Sequence, residues 1–150
     1  MRTLSWNDLF IQDPSIDVAQ LLSEWRPPRV IGPVQPIGLS AFGDVYFLRP
    51  DGSVHVLDVF EGEVRLAAHS DEEFAAYMKS ASWQDANLMP AVIQQLHARG
   101  LALGPGQVFG FAPHPALVGK IKPEGALVLS ARAWHSICSQ TLGPRGSTAA

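Results

Sequence analysis

Five histidines and one cysteine are the side chains with the greatest scope for acid–base, nucleophilic or metal chemistry in this 150-residue chain. The histidines stand at positions 55, 69, 97, 114 and 135, without a His-Glu-x-x-His pattern and without any pair at i, i+2 or i, i+4. Together with a single cysteine, this spacing provides no local set of zinc ligands. We therefore predict no metal site.

Two of the histidines have neighbours that suggest a role. His135 and Cys138 lie three positions apart on a predicted helix, which places a base near a nucleophile. Cys138 also falls on an apolar stripe with Trp134, so burial in the core is the preferred interpretation. His114 stands between two prolines that hold a loop in place, although isolated loop histidines are usually inert. A small hydrolase or transferase using His114 or His135 remains an alternative.

A glycine-rich run from 104 to 110 superficially resembles a phosphate-binding loop. A dinucleotide-binding turn follows a strand and opens a helix, so that backbone amides meet the pyrophosphate. This run opens a predicted strand instead, and the chain has no Gly-Lys-Ser/Thr motif. A turn is the better interpretation, and we predict no cofactor.

The acidic residues near the middle of the chain are the remaining candidates: Asp44, Asp51, Asp58, Glu61 and Glu63. Charged residues at the edge of a sheet often serve only to prevent pairing with a neighbouring molecule. Carboxylates grouped on a rigid sheet can also steer and dock a basic partner. Both interpretations remain open from the residues alone.

These carboxylates are placed by a predicted β-meander within residues 41–68. Alternating side chains predict strands at Asp44–Leu48, Val54–Val59 and Val64–Ala67, and glycines at 52 and 62 suit tight turns between them. His55 and Asp58 therefore point to opposite faces of the sheet. Tyr46 on the first strand is expected to pack in the core.

Further elements are predicted around the meander from capping residues, apolar periodicity and glycine or proline breaks. Before the meander, a helix is predicted at Ile16–Trp25, capped by Ser15, followed by a connector at Pro27–Gly38. After it come a helix capped by Ser70, with Phe74, Tyr77 and Met78 on its apolar face, and a helical stretch within Trp83–Arg99. The last elements are strands at Gln107–Phe111 and Ala126–Ser130 and a helix at Ala131–Leu142 with Trp134, Ile137, Cys138 and Thr141 on one face. The predicted fold is α+β, an antiparallel β-meander sheet packed against several helices in a single domain.

Composition agrees with one globular domain, since 47% of the residues are hydrophobic and 17% are charged. The net charge of -3 disfavours a nucleic-acid binder. The lone cysteine and the lack of an apolar signal or membrane segment lead us to expect a cytoplasmic protein. We divide it into an N-terminal helical segment (1–26), the α+β domain (27–143) and a flexible tail (144–150).

The order of several motifs resembles the C-terminal domain of type VI secretion immunity proteins, the antitoxins of interbacterial toxins that include DNases. The motifs run from Trp25 to Gly143 and are F-G-D-V-Y-F at 42–47, D-G-S-V-H-V-L-D at 51–58, E-E-F at 72–74, V-F-G-F-A-P-H-P-A-L-V-G at 108–119 and S-Q-T-L-G at 139–143. Gly119 is followed by Lys120 where a paired glycine is expected.

The resemblance implies an inhibitor that is not an enzyme and that binds a cognate toxin, covering its active site. The expected contact residues are Asp44, Asp58, Glu61, His114 and Lys120, each of which has an alternative role as surface or loop support. Tyr46 and Trp83 are possible aromatic anchors, with core packing preferred for both. A scaffold or small-ligand-binding protein of the same fold remains a second alternative.

Overall fold

The computed structural model describes residues 4–25 and 29–143. Its strands are β1 (Phe10–Ile11), β2 (Gln35–Ser40), β3 (Val45–Leu48), β4 (Val54–Asp58), β5 (Glu63–Ala68), β6 (Gln107–Phe111) and β7 (Ala126–Ser130). Its helices are α1 (Trp6–Leu9), α2 (Val18–Ser23), α3 (Asp71–Met78), α4 (Ala81–Asn87), α5 (Pro90–Ala98), α6 (Pro115–Val118) and α7 (Ala131–Leu142), with a 3-10 turn at Pro123–Gly125. The strands form a five-stranded sheet in the order β1-β2-β3-β4-β5 and a two-stranded antiparallel sheet of β6 and β7. The predicted α+β class is confirmed.

The predicted β-meander forms the centre and one edge of the large sheet. Strands β3, β4 and β5 pair antiparallel, with Tyr46 opposite Val56 and Val56 opposite Arg65. Asp51 stabilises the first turn, since its carboxylate accepts hydrogen bonds from the backbone N–H and the hydroxyl of Ser53. The strand alternation in the sequence was therefore sufficient to predict these three strands.

Two further strands were not predicted. β2 lies partly within the expected connector, and β1 pairs with it through Phe10 opposite Ser40. Pro36 and Gly38 are poor strand formers, and β1 has only two residues, so the sequence pattern is weak. Gly38 is required here, because a Cβ at this position would lie 2.5 Å from Cε2 of Phe10. Residues 26–28, where the helix was expected to end, lie outside the described part.

Strands β3 and β4 of the large sheet are buried on both faces because their side chains alternate between two apolar clusters. Tyr46 and Val56 face a cluster that includes Phe74 of α3. Phe47 and Leu57 face the opposite cluster, which also contains Trp25, Leu22 and Leu39 as well as Trp134 and Cys138 of α7. This arrangement explains why Val54, Val56 and Leu57 of β4 are all buried although they lie on both faces of the strand.

The residue that caps α2 differs from the predicted one, whereas the predicted cap of α3 is confirmed. Ser15 does not cap α2, because its N–H and hydroxyl both bind the Asp13 carboxylate. Asp17 caps α2 instead by accepting from the N–H of Gln20 at 3.1 Å. Ser70 caps α3 as predicted, accepting from Glu73 N–H at 3.1 Å.

The helical stretch predicted within Trp83–Arg99 is divided into α4 and α5. Met89 between them has a left-handed φ of 52°. Pro90 disfavours a helical conformation in the residue before it and is well suited to the first turn of a new helix, which explains the break. Leu96 and Ile93 are buried as expected on the apolar face of α5.

Strands β6 and β7 and helix α7 confirm the predicted strands and helix. Ser130 caps α7 by accepting from Ala133 N–H at 3.0 Å. Ile137 was wrongly placed on the buried face, since 44% of its surface is exposed, whereas His135 is fully buried. The predicted tail, residues 144–150, lies outside the described residues.

Candidate functional site

Asp44 lies at the start of β3, and the structure corrects its expected exposed position. Only 9% of its surface is accessible. One carboxylate oxygen accepts from the backbone N–H of Val59 at 3.0 Å, and the other accepts from the Ser40 hydroxyl at 3.2 Å. Burial, reinforced by the nearby Asp58 carboxylate, raises the pKa of Asp44 to about 7. Asp44 is therefore a buried support for the turn after β4.

Asp58 ends β4 and shapes the following turn. Its Oδ1 accepts from the N–H groups of Phe60 and Glu61 at 2.8 and 3.2 Å. Its Oδ2 forms an ion pair with Arg65 at 2.8 Å, and this carboxylate partner raises the pKa of the Arg65 guanidinium. Asp58 thus fixes the backbone that carries Glu61, which is itself exposed.

His114 is buried, which contradicts its expected position in an exposed loop. Only 4% of its surface is accessible, and its ring stacks on Trp134 with centroids 5.4 Å apart. Nδ1 accepts from the N–H of Ala116 at 3.1 Å, so the proton lies on Nε2, which donates to the Val59 carbonyl at 3.3 Å. Desolvation lowers the pKa of His114 and favours this neutral form.

The loop that follows His114 carries Lys120 to the surface. His114 caps the short helix α6, and Gly119 ends this helix with a φ of 78°, a conformation that suits glycine. Lys120 comes directly after this turn and is exposed. The expected contact residue Lys120 is therefore presented by a loop that His114 anchors.

An open groove lies between the turn after β4, the loop after β6 and the end of α7, and we call it the meander groove. It has a volume of about 490 Å³. Its lining residues are Asp58, Phe60, Glu61, Glu63, Pro115, Ala116, Gly119, Lys120, Ile121 and Leu142. The structure thus brings together Asp58, Glu61 and Lys120, three of the five predicted contact residues.

The other two predicted residues lie behind the groove. Asp44 binds the N–H of Val59 and His114 binds its carbonyl, so both act on the residue that precedes Phe60 in the groove wall. Phe60, Ile121 and Leu142 form an apolar floor that no pattern in the sequence indicates. Their residue types are those of a core, and only the tertiary arrangement shows that they line a groove.

His135 and Cys138 do not form a reactive site in this structure. His135 Nδ1 accepts from the indole N–H of Trp25 at 2.9 Å, and Nε2 donates to the Gly43 carbonyl at 2.7 Å. Burial lowers the pKa of His135 to about 4 and raises the pKa of the Cys138 thiol. The imidazole therefore joins α7 to the residues around α2 and to the β2–β3 turn.

Tyr46 and Trp83 pack in the interior, as preferred from the sequence. Tyr46 is only 2% exposed, and its ring centroid lies 5.3 Å from that of Phe74 and 6.1 Å from that of Trp83. Burial raises the pKa of the Tyr46 phenol. Trp83 is partly buried and also stacks on Tyr77, so its main contacts are internal.

Comparison with solved structures finds chains of similar fold. The fold is similar to that of Atu4351 from Agrobacterium tumefaciens. The two have 18% sequence identity and a TM-score of 0.58, and the match covers 81% of this chain but 62% of Atu4351. At this identity the likeness establishes a shared fold. No protein-family model matches the chain, and no curated protein is similar to it in sequence.

A second cavity, of about 290 Å³, lies on the side of the N-terminal segment. Its lining includes Asp8, Asp13, His97 and Phe109. Hydrogen bonds from Ser15 and from the Gly106 N–H lower the pKa of Asp13, so its carboxylate is ionised at neutral pH. Within residues 4–25 and 29–143, the buried Nδ1 atom of His97 has no hydrogen-bond partner. The cavity is thus lined by an ionised carboxylate and by a histidine.

Residues 4–25 and 29–143 contain neither a metal-binding cluster nor a membrane-spanning helix. No group of three or more His, Cys, Asp or Glu side chains in these ranges is arranged to hold a metal ion. Among the helices of the same ranges, none has the length and apolar character needed to cross a bilayer.

Proposed function

We propose that this protein is an immunity protein that binds a cognate toxin in the cytoplasm and blocks access to the toxin's active site. The toxin class follows from the sequence resemblance over Trp25–Gly143, which points to a type VI secretion effector, in particular a nuclease. The observation that carries the proposal is the meander groove, which Asp58 and Glu61 of one turn line together with Lys120 from a distant part of the chain.

The groove has the composition of a protein-binding surface. Charged side chains stand at its rim, and Phe60, Ile121 and Leu142 provide apolar surface between them. Interfaces commonly combine a buried apolar centre with a polar rim. Protection at low toxin levels calls for nanomolar affinity, about 12 kcal/mol. Such affinity is usual for an interface of about 1,600 Å², so the groove is the centre of a larger contact.

Inhibition by covering needs no reactive group from this protein. The side chains that the sequence suggested for catalysis, His114, His135 and Cys138, are buried and serve as internal supports. Nucleases bind a polyanion, so their clefts are basic and are attracted to carboxylates such as Glu61 and Glu63. This complementarity supports a nuclease as the partner.

Purification of the protein with the product of the neighbouring gene tests the proposal. We expect a stable stoichiometric complex, and nuclease activity that falls to background when the two proteins are equimolar. A nuclease that stays fully active with a tenfold excess of this protein would contradict the proposal. So would turnover of any substrate by this protein that is lost in a His114→Ala variant.

A second candidate function, small-ligand binding, is favoured by the cavity that contains His97. Its carboxylates suit a compact organic cation with N–H donors, and His97 lines the same cavity. Calorimetric titration with arginine and with putrescine tests this function, and His97→Phe is the variant in which binding is expected to disappear. Heat changes equal to those of dilution with both compounds would exclude these ligands.

A further inference from the structure

We infer that the meander groove receives a toxin segment that carries a lysine or arginine, an aliphatic side chain and an acidic residue close together. This inference rests on the proposed function and adds the chemistry of the partner segment. It follows from the polarity of the groove, whose two walls carry opposite charges across an apolar floor.

The first wall is the turn between β4 and β5 and is acidic. Asp58, Glu61 and Glu63 all line the groove from this side. Arg65 forms an ion pair with Asp58, and Glu61 and Glu63 are exposed residues of the same wall. A lysine or arginine of the partner therefore meets carboxylates here, and arginine is especially common at the centre of protein interfaces.

The opposite wall is the loop after His114 and is basic. Lys120 is its charged lining residue, and neighbouring positions are small or apolar, namely Pro115, Ala116 and Gly119. An acidic residue of the partner fits beside Lys120. A segment with a single sign of charge would face repulsion from one of the two walls, so the groove selects a segment that carries both signs.

The floor contributes the apolar part of the contact. Phe60, Ile121 and Leu142 are each partly buried, so each retains surface that a partner can cover. The groove volume of about 490 Å³ falls within the range of roughly 300 to 1,000 Å³ typical of ligand clefts. An aliphatic side chain seated between the charged contacts would exclude water from them and strengthen them.

Hydrogen bonds fix the position of the walls relative to each other, so the pattern of charges exists before a partner binds. Asp44 and His114 bind the two backbone groups of Val59, which joins the loop after β6 to the β4–β5 turn. Arg29 donates to the carbonyls of Gly62 and Leu142 at 2.7 and 3.3 Å, which joins the same turn to the end of α7. A preformed groove loses little conformational entropy on binding.

A photo-crosslinking experiment identifies the segment that occupies the groove. Benzoylphenylalanine replaces Ala116, an exposed lining residue, and in a control it replaces Ala75, an exposed residue of α3. The probe is the purified nuclease encoded by the neighbouring gene. We expect the residue-116 variant to capture a nuclease peptide that contains both a basic and an acidic residue, and the residue-75 variant to capture none.

Charge-reversal variants measure the contribution of each wall to the same complex. We expect Glu61→Lys with Glu63→Lys to weaken nuclease binding at least tenfold and Lys120→Glu to weaken it by about tenfold. The matched controls, Glu72→Lys and Lys79→Glu on exposed positions of α3 and its C-cap, should change affinity less than threefold. Unfolding curves that match wild type would show that each variant is folded.

The outcomes separate this inference from the proposed function. If the complex forms but the groove variants bind as tightly as the controls, the inference is wrong and the function stands. A captured peptide without basic residues would also overturn the inference. If the wild-type protein forms no complex with the nuclease, the proposed function fails, and the inference that rests on it fails too.

Discussion

Asp44 and His114 bind the same residue from opposite directions: Asp44 accepts from the N–H of Val59 at 3.0 Å, and His114 donates to its carbonyl at 3.3 Å. Neither side chain is exposed enough to contact a partner as a main anchor. Together they fix the backbone just before Phe60 and Glu61 enter the groove wall. Residues predicted as contacts are therefore positioning residues for that wall.

Replacement of His114 by alanine should lower both stability and toxin affinity. The change removes the bond to Val59, the cap of α6 and the stacking on Trp134, and we expect the free energy of unfolding to fall by about 2 to 4 kcal/mol. His114→Gln places an amide N–H near Val59 and should recover part of this loss. Urea denaturation and calorimetric binding measure both effects. Full stability in His114→Ala would contradict the anchoring role.

Asp44 should make the protein less stable as the pH rises from about 4 to 7. Its pKa is about 7 in the folded state against 3.8 for the ordinary group, so the folded state binds more protons in this range. The free energy of unfolding then falls by as much as about 1.4 kcal/mol per pH unit. Asp44→Asn removes this dependence, so its advantage over wild type should grow with pH and level off above 7.

The burial of His135 should make the free energy of unfolding rise with pH over much of the same range. Its pKa is lowered from 6.5 to about 4, so the unfolded state binds more protons and stability rises with pH between these values. The two effects offset each other in wild type, whereas Asp44→Asn should reveal the rise due to His135. Denaturation at pH 4.5, 5.5, 6.5 and 8 tests this, with Asp85→Asn, an exposed position, as the control. A pH-independent difference between Asp44→Asn and wild type would contradict the assignment.

The burial of Asp44 and His114 shows what local sequence patterns cannot predict. Side-chain alternation was enough to place Val54, Val56 and Leu57 on a strand, because that pattern depends on neighbouring residues of the same strand. The partner of Asp44 and His114 is Val59, which is 15 and 55 positions away along the chain, so only the packed fold shows their contacts. An acidic residue near a turn and a proline-flanked histidine both suggest exposure until such a partner is known.

The sequence indicated charged residues that line the meander groove, but it did not indicate that they lie around a groove. Glu61 and Lys120 were predicted as contact residues because charged residues near turns are expected to be exposed. Their proximity depends on the loop after β6 lying against the β4–β5 turn, which no periodicity reports. The apolar floor, represented by Ile121, was missed because an apolar residue next to charged residues fits a core equally well.

Gly38→Ala should loosen the edge strand β1. The added methyl group would lie 2.5 Å from Cε2 of Phe10, so the Phe10 ring must move away from β2. We expect a loss of about 1 to 3 kcal/mol of stability and faster amide exchange in β1. Gly104→Ala is the matched control, since its nearest neighbour at 3.0 Å is the movable end of the Gln107 side chain. Equal stability of the two variants would argue against the close packing of Phe10.

The rate of thiol labelling at Cys138 should show whether the hydrogen bonds of His135 hold α7 in place. Cys138 is fully buried on α7, and burial raises the pKa of its thiol, so the folded protein should react with a disulfide reagent far more slowly than the unfolded chain. His135→Ala leaves the Trp25 indole N–H and the Gly43 carbonyl without their partner. The loss of about 2 to 4 kcal/mol should speed labelling more than tenfold through increased opening of α7.

The control for this experiment is His69→Ala, because His69 is exposed and its side-chain contact is with Glu73 on the surface. Its labelling rate should match that of wild type. If the wild-type thiol reacts as fast in buffer as in 6 M guanidinium, Cys138 is accessible and the buried position assigned to it is wrong. Such reactivity would also revive the interpretation of His135 and Cys138 as a base and its nucleophile. Slow labelling that accelerates only in His135→Ala would show that the His135 imidazole holds α7 against the sheet.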